Sequence, residues 1–300
     1  MNALRRVTER VEVRPFAGIT NLLEVLREIA PDVVFNLTEH VDQRRSMDVH
    51  IAALLDLLEV HYTGTGPKGL MLCRDKAVSK LIAAREGFKI PNYFVVRAGA
   101  PRLPDSIPFP LVVKPQFGDA SEGISQASYV STKEALLRRI ALLGRKGSDA
   151  VICEEFIVGR EMAVGILGDT TMPVREFVVD RKTARTPRLA TFRLKHDPTH
   201  RRRWLAHTEF AKLTPEQQAK VDTLVRRTFT ALDMSDYGRF DLKLTPAGEW
   251  AFLEANPNPG LSPSTPSQPG VWLTMDYDDL VKEILVRALR RRHSRSSRNV

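Results

Sequence analysis

Asp241, Glu254 and Asn256 are oxygen-bearing side chains within a stretch, GRFDLKLTPAGEWAFLEANPNPG (238 to 260), whose other residues mostly suit a core. Its pattern predicts two strands around a turn at Thr245 to Gly248, with Leu244 opposite Glu249, Phe240 opposite Leu253 and Leu242 opposite Ala251. That register puts Phe240, Leu242, Ala251 and Leu253 on one face and Arg239, Asp241, Phe252, Glu254 and Asn256 on the other. Two carboxylates and an amide oxygen suit a hard cation such as Mg2+, which keeps positions open for water and phosphate. The alternative is a solvated polar face with an Arg239 to Glu254 cross-strand pair, and the hairpin alone does not separate the two.

The elements that must position these groups are legible from periodicity. PDVVFNL (31 to 37) has strand length and MDVHIAALLDLLEV (47 to 60) has helical spacing, so the chain opens as α/β. RDKAVSKLIAAREGF predicts a helix ending at Gly87. IPNYFVV and FPLVVKP predict strands, the second ending near Lys114, and QFGDASEGIS a polar loop. A helix at about 132 to 143, the strand AVICEEFI, and the antiparallel pair EMAVGIL and MPVREFVVD around GDT make the middle α+β. Residues 181 to 211 are basic with little periodicity and read as a long functional loop. TPEQQAKVDTLVRRTFTALDM predicts an amphipathic helix capped by Thr214, with Glu216 in its first turn, and a last helix covers about 276 to 290.

At 300 residues and 43% hydrophobic content, the chain can bury a sizeable core in two or three subdomains. Charges interrupt its apolar runs and MNALRRVTERVEVRP lacks an apolar block, which predicts a cytoplasmic protein without a membrane span or signal peptide. Cys73 and Cys153 have no CxxC spacing and read as small core residues. A net charge of +9 and pI near 9.7 raise the question of a nucleic-acid partner. Arg290, Arg291, Arg292, Arg295 and Arg298 lie in a Ser-rich end, read as a disordered solvated tail over 290 to 300, with a polyanion-binding arm as the alternative. A second basic cluster runs from Lys195 to Arg203. The aromatics are few and not interleaved with basic residues, which argues against nucleic acid.

Taken together, the order and spacing of YTGTGP, RDKAVSKLI, PLVVKP, SEGIS, EEFIVGREMAVGIL, GRFDLKL and FLEANPNPGLSP resemble those of the D-alanyl-D-alanine ligases and their ATP-grasp relatives, from about residue 31 to 270. The resemblance implies an ATP-grasp fold, α/β and α+β, with nucleotide held between two antiparallel sheet subdomains at 73–160 and 161–289, after a partial parallel α/β domain at 1–72. It implies ATP with two Mg2+ ions, for which Mn2+ can substitute. In the family reaction a carboxylate is phosphorylated to an acyl phosphate, which an amine attacks through a tetrahedral intermediate.

The implied roles follow by position. Lys76 and Lys114 match the phosphate lysines. Ala120, Ser121 and Gly123 match the loop whose backbone N–H groups cover the terminal phosphates, where glycine permits close approach. Glu154, Phe156 and Ile157 match the adenine segment, and Glu161 the residue on the ribose hydroxyls. Lys195 resembles the lysine that reaches the phosphates when the basic loop closes. Asp241 and Glu254 match the first metal position, with Glu254 bridging to a second that Asn256 completes. Arg239 and the N–H of Gly260 match the oxyanion stabilisers, a donor of that kind being worth about 3 kcal/mol of barrier. Ser264 and Thr265 fall where the carboxylate of the amine-bearing substrate is held.

The departures cluster on the amino-acid pocket. No glycine-rich loop with a substrate-orienting glutamate precedes Pro31, so the first domain is expected to be partial. FNLTEHVDQRRSMD replaces a glycine-rich acidic segment and leaves Glu39 and His40 as substitutes. Ala120 stands where a serine joins the substrate network. His196 replaces the usual tyrosine, and a nearby histidine occurs in relatives that accept a hydroxy acid. The expectation is an ATP-dependent carboxylate–amine ligase acting on small amino-acid or hydroxy-acid substrates, making a dipeptide for peptidoglycan precursors. The alternatives are a nucleotide-binding protein of the same fold that has lost its chemistry, or a ligase for other amino acids or hydroxy acids. The resemblance also implies a homodimer.

Overall fold

The computed structural model describes residues 2–41, 47–118, 124–179, 189, 197–261, 271–272 and 274–296. Helices α1 (Asn2–Arg5), α2 (Gly18–Ile29), α3 (Asp48–Leu57) and α4 (Pro67–Arg74) open the chain. Leu22, Val49, Ile51, Ala52, Leu55 and Leu70 from the longer three form a small core of their own. The strand expected over 31 to 37 does not form. Val34 makes a single parallel bridge to Tyr62, and Phe35 packs instead on the cluster containing Leu167, Tyr237 and Trp272.

Asp75 caps helix α5 (Lys76–Arg85), its carboxylate accepting the N–H groups of Ala77 and Val78 at 2.9 and 3.2 Å. Lys76 is therefore the first helical residue, and Lys80 stands one turn later on the same side of the helix. The first sheet is antiparallel, in the order β1 (Tyr93–Arg97), β4 (Ala150–Glu155), β2 (Leu111–Pro115), β3 (Tyr129–Val130). Helix α6 (Lys133–Arg145) covers it, burying Leu136, Ile140 and Leu143 with Val96, Val113 and Val151.

The second sheet runs β10 (Trp250–Pro257), β9 (Tyr237–Leu244), β5 (Arg160–Leu167), β7 (Arg175–Val178), β8 (His207–Phe210), with β6 (Thr170–Thr171) paired to β5. The stretch expected as a loop over 181 to 211 therefore contains β8, and also a short helix, α7 (Pro198–Arg203). HTEF has one apolar residue and no readable alternation. It is a strand because β7 offers it an edge, and because Phe210 stacks on the Arg175 guanidinium, 4.1 Å from its ring centroid. Helix α8 (Pro215–Ala231) begins in a capping box between Thr214 and Gln217. Its Val221, Leu224, Val225 and Phe229 close the main core with Phe240, Leu242, Leu244, Trp250 and Phe252. Cys73 and Cys153 are buried free thiols, as expected. Among the described residues no helix is long and apolar enough to cross a membrane.

The last helix, α9 (Tyr277–Ser296), continues through the stretch expected to be an unpacked tail from 290. Arg291 gives the physical reason, because it finds acceptors. Its guanidinium donates to the carbonyls of Tyr62 and Gly64 at 2.7 and 3.1 Å and pairs with Asp236 at 3.0 Å. Asp236, itself left-handed at φ 60, accepts the N–H of Gly64 at 2.6 Å. The next N–H, that of Thr65, goes to Asn258 Oδ1 at 2.7 Å. Gly64 must be glycine on two counts, since it has φ +92 and a Cβ there would lie 2.4 Å from Asn258 Oδ1.

Burial pushes the Asp236 carboxyl from 3.8 up to about 6, against the lowering effects of Arg291 and the Gly64 N–H. The folded chain thus keeps a proton that the unfolded chain releases. The stabilisation from this group is fully present below its unfolded pKa and is lost as pH rises through about 6. Between about pH 4 and pH 7 the stability of the unaltered chain should fall relative to Asp236→Asn by 2 to 3 kcal/mol, at about 1.4 kcal/mol per pKa unit. Urea unfolding at both pH values checks this, and a difference that does not move with pH contradicts it.

Candidate functional site

Strands β9 and β10 meet, one place away from the expected register. Trp250 faces Leu244, Ala251 faces Lys243 and Phe252 faces Leu242, after which the ladder shifts so that Glu254 faces Asp241, Ala255 faces Phe240 and Asn256 faces Arg239. Leu253 is the extra residue of a β-bulge. Phe252 therefore belongs to the core, with ring centroids 5.8 Å from Phe88 and 6.3 Å from Phe240, and not to the polar face where it was expected. The bulky Trp250 and Phe252 take the buried side and leave the small Ala251 opposite Lys243. Had that register continued without the bulge, Glu254 would face Phe240 on the apolar side. The inserted residue restores Glu254 and Asn256 to the side of Asp241 and Arg239. The donors share one face, as expected, but a bulge puts them there.

Asp241, Glu254 and Asn256 are 7%, 9% and 7% exposed. Arg239 forks the Asp241 carboxylate through Nε at 2.8 Å and Nη2 at 3.1 Å, so the expected alternative partner, Glu254, is not the one it takes. Burial lowers the Arg239 guanidinium, but the Asp241 carboxylate outweighs it and leaves a net rise. The Nδ2 of Asn256 is buried without a hydrogen-bond partner. Among the described residues no group of three His, Cys, Asp or Glu side chains converges; here the third donor is an amide. Two carboxylates and an amide oxygen, with no thiolate or imidazole among them, fit a hard divalent cation.

Across from this face stand the lysines. Lys76, 5% exposed, donates to the Gly118 carbonyl, and Lys76, Gly118, Glu254 and Asn256 line one cleft. Lys114 pairs with Glu154 at 2.9 Å. The other oxygen of Glu154 takes Lys80 at 2.8 Å, and the Lys80 ammonium also donates to the Leu253 carbonyl at 2.6 Å. Burial pushes Lys80 down to about 8, with Glu154 opposing. Burial raises the Glu154 carboxyl, but Lys114 and Lys80 overcome this and hold it below its ordinary range. Lys114 is raised overall: burial works against its charge, while Glu154, then Glu254 and Asp241, retain it. Lys80 was not singled out from the sequence, and its spacing of four from Lys76 is the signal that could have found it.

The remaining expected positions divide into two groups. Phe156, Ile157 and Glu161 come together around Lys243, which faces Glu161 across the sheet, donates to the Ile157 carbonyl at 2.8 Å and lies 4.4 Å from the Phe156 ring centroid. Lys243 was also missed, because alternation alone gives a polar residue in a strand no role. Gly260 is exposed, with open space where a Cβ would stand, two residues after the left-handed Asn258 at φ 52. Glu39 and His40 are exposed in the segment after Asn36. Ala120, Ser121, Gly123, Lys195, His196, Ser264 and Thr265 lie outside the described residues.

Comparison with known proteins accords with this arrangement. The family described as D-ala D-ala ligase C-terminus matches residues 87–286. The "Uncharacterized protein y4sG" of Sinorhizobium fredii is 33% identical over 235 residues, 77% of this chain, which spans 66% of that protein. The D-alanine–D-alanine ligase of Pediococcus pentosaceus is 30% identical over 272 residues, covering 89% of this chain and 71% of its own. In three dimensions the fold is similar to D-alanine–D-alanine ligase from Bacillus anthracis complexed with ATP, with TM-score 0.71 at 21% identity over 92% of this chain and 84% of that one. The VanG D-Ala:D-Ser ligase of Enterococcus faecalis gives TM-score 0.65 at 18% identity, over 86% and 73%. These neighbours have the ATP-grasp fold, which this chain shares.

Replacing Glu154 by Gln would leave Lys80 and Lys114 buried without their common counter-charge. The expected cost is about 3 to 5 kcal/mol at neutral pH, read by urea unfolding. It should shrink as pH rises through about 8, where the unaltered chain itself gives up the Lys80 charge that Glu154 stabilises. A loss that stays constant with pH contradicts the shared-charge account.

Proposed function

The chain belongs to the D-alanine–D-alanine ligase family, and from that premise we propose that it is an ATP-dependent, ADP-forming ligase that joins a carboxylate to an amine through an acyl phosphate. The carrying observation is one cleft with walls of opposite character. Lys76 meets Glu254 and Asn256 in it, and Glu254 and Asp241 act on the charge of Lys114. A triphosphate accompanied by divalent cations suits both walls at once.

In this reading Lys76 and Lys114 bind the phosphates, Phe156 and Ile157 border the adenine, and Glu161 takes the ribose hydroxyls. Asp241, Glu254 and Asn256 would hold Mg2+ (or Mn2+), which when bound offsets the charge of the triphosphate and of the phosphoryl group in transfer. Arg239 and the Gly260 N–H stabilise the oxyanion of the tetrahedral intermediate. The loop of Ala120, Ser121 and Gly123 covers the terminal phosphates, and Lys195 closes over them. Glu39, His40, His196, Ser264 and Thr265 contact the amino-acid or hydroxy-acid substrates. A dipeptide for peptidoglycan precursors, made in the cytoplasm, is the product class this reading favours. One observation favours a second reading, a nucleotide-binding protein with an impaired acceptor site: among the described residues of the opening part, Val34 bridges Tyr62 in parallel without a full strand, beside the exposed Glu39 and His40.

Pairs of D- and L-amino acids and hydroxy acids, screened for ADP formation, separate the readings. ADP release that requires Mg2+ and a substrate pair supports the ligase, whereas ATP binding without turnover under every pair supports the second reading. Glu254→Gln should abolish the metal-dependent turnover with the fold retained by circular dichroism, and unaltered turnover refutes the metal assignment. Lys114→Ala should raise the ATP requirement at least about tenfold, a loss of about 1.4 kcal/mol of binding. An unchanged requirement counts against its phosphate role.

A further inference from the structure

Lys80 has no role in the reading above, yet its side chain is 0% exposed. Burying an ammonium is expensive, and a buried ion pair is often no more stable than apolar residues of similar volume. Nor does Glu154 need it for neutrality, because Lys114 already pairs with that carboxylate at 2.9 Å. What Lys80 adds is its second contact, 2.6 Å to the Leu253 carbonyl. Leu253 is the bulge residue, the place where the β9–β10 ladder shifts.

The free side of β10 shows why that contact matters. Before the bulge, the backbone of Lys89 satisfies it: the Trp250 carbonyl accepts from the Lys89 N–H at 2.9 Å, and the Phe252 N–H donates to the Lys89 carbonyl at 2.8 Å. At Leu253 a side chain takes over, the ammonium standing where a neighbouring strand would offer a donor. A bulge is locally irregular and unpaired, and slipping it by one residue exchanges the two faces of the strand beyond it. Beyond it lie Glu254 and Asn256.

We propose that Lys80 is a positioning residue, whose ammonium, anchored on Glu154 of β4, locks the Leu253 bulge of β10 and so fixes Glu254 and Asn256 on the cation-binding face. The inference rests on the nucleotide and metal reading of the cleft. It makes one buried cation the link between the strand that borders the nucleotide base and the strand that carries the metal ligands.

Lys80→Met tests it, and it is charge-balanced because Lys114 still neutralises Glu154. Lys80→Gln keeps a donor on a side chain one bond shorter. Binding of a non-hydrolysable ATP analogue is measured in EDTA by calorimetry, and Mn2+ binding to the analogue-loaded protein by electron paramagnetic resonance. Lys80→Met should weaken Mn2+ by about tenfold or more, as losses of supporting contacts around metal ligands do, and by clearly more than it weakens the metal-free analogue. Lys80→Gln should fall between. Mn2+ affinity matching that of the unaltered chain overturns the proposal, and so does an equal fall in both affinities, which would signify general loosening. If Lys80→Met does not fold, Lys80→Gln decides by the same comparison. No Mn2+ binding by the analogue-loaded unaltered chain sinks the metal reading, and this inference with it; binding that is indifferent to Lys80 sinks the inference alone.

Discussion

Two ammonium groups share one carboxylate in the interior, and the arrangement of the cleft depends on that sharing. Glu154 lies 3% exposed between Lys80 and Lys114, at 2.8 and 2.9 Å. The first lysine comes from α5 and the second from β2, while the carboxylate is in β4. Through Lys80 the same group reaches the backbone of β10, which belongs to the other sheet. Among the described residues the two sheets share no strand ladder, so contacts of this kind tie them together across the cleft. Such a cluster is costly to bury, and breaking it is costlier still, which makes it a rigid spacer between the walls.

The charge left over from the cluster has a direction. One carboxylate among Lys76, Lys80 and Lys114 leaves the lysine wall positive, whereas Asp241 and Glu254 against Arg239 leave the opposite wall negative. Neither wall is completed by the other alone. A polyanion placed between them answers the first, and cations accompanying that polyanion answer the second. Arg239 fits the same logic: in forking Asp241 it satisfies a carboxylate that would otherwise be buried beside Glu254 with like charge near like charge.

Much of the fold was legible because its long elements are strongly periodic, and the site was legible because its motifs occur in a characteristic order. What was lost was lost for physical reasons. WAFL in β10 is four apolar residues in succession, so no alternation marks where the bulge falls, and a register drawn without it sends Phe252 to the wrong face. That Asp241, Glu254 and Asn256 nevertheless share one face, as expected, reflects two errors that cancel, a one-place offset and an unseen extra residue. HTEF shows no strand pattern because pairing to β7 and the Phe210 stack on Arg175 define it. RRRHSRS looks unable to pack because the anchor seen among its described side chains, Arg291, finds its carbonyl acceptors more than two hundred residues away in sequence. Long-range polar contacts to backbone leave no periodicity to read.

That last contact ties the opening segment to α9. The turn at Tyr62 to Gly66 presents backbone rather than side chains: Gly64 gives its N–H to Asp236 and its carbonyl to Arg291, and Thr65 gives its N–H to Asn258. Asn258 lies midway in sequence between Asn256, on the face of Asp241 and Glu254, and the exposed Gly260. Its left-handed backbone is one that asparagine adopts readily, and its side chain accepts the Thr65 N–H at 2.7 Å. One glycine turn, close enough that only hydrogen fits on Gly64, pins the loop that carries Asn258.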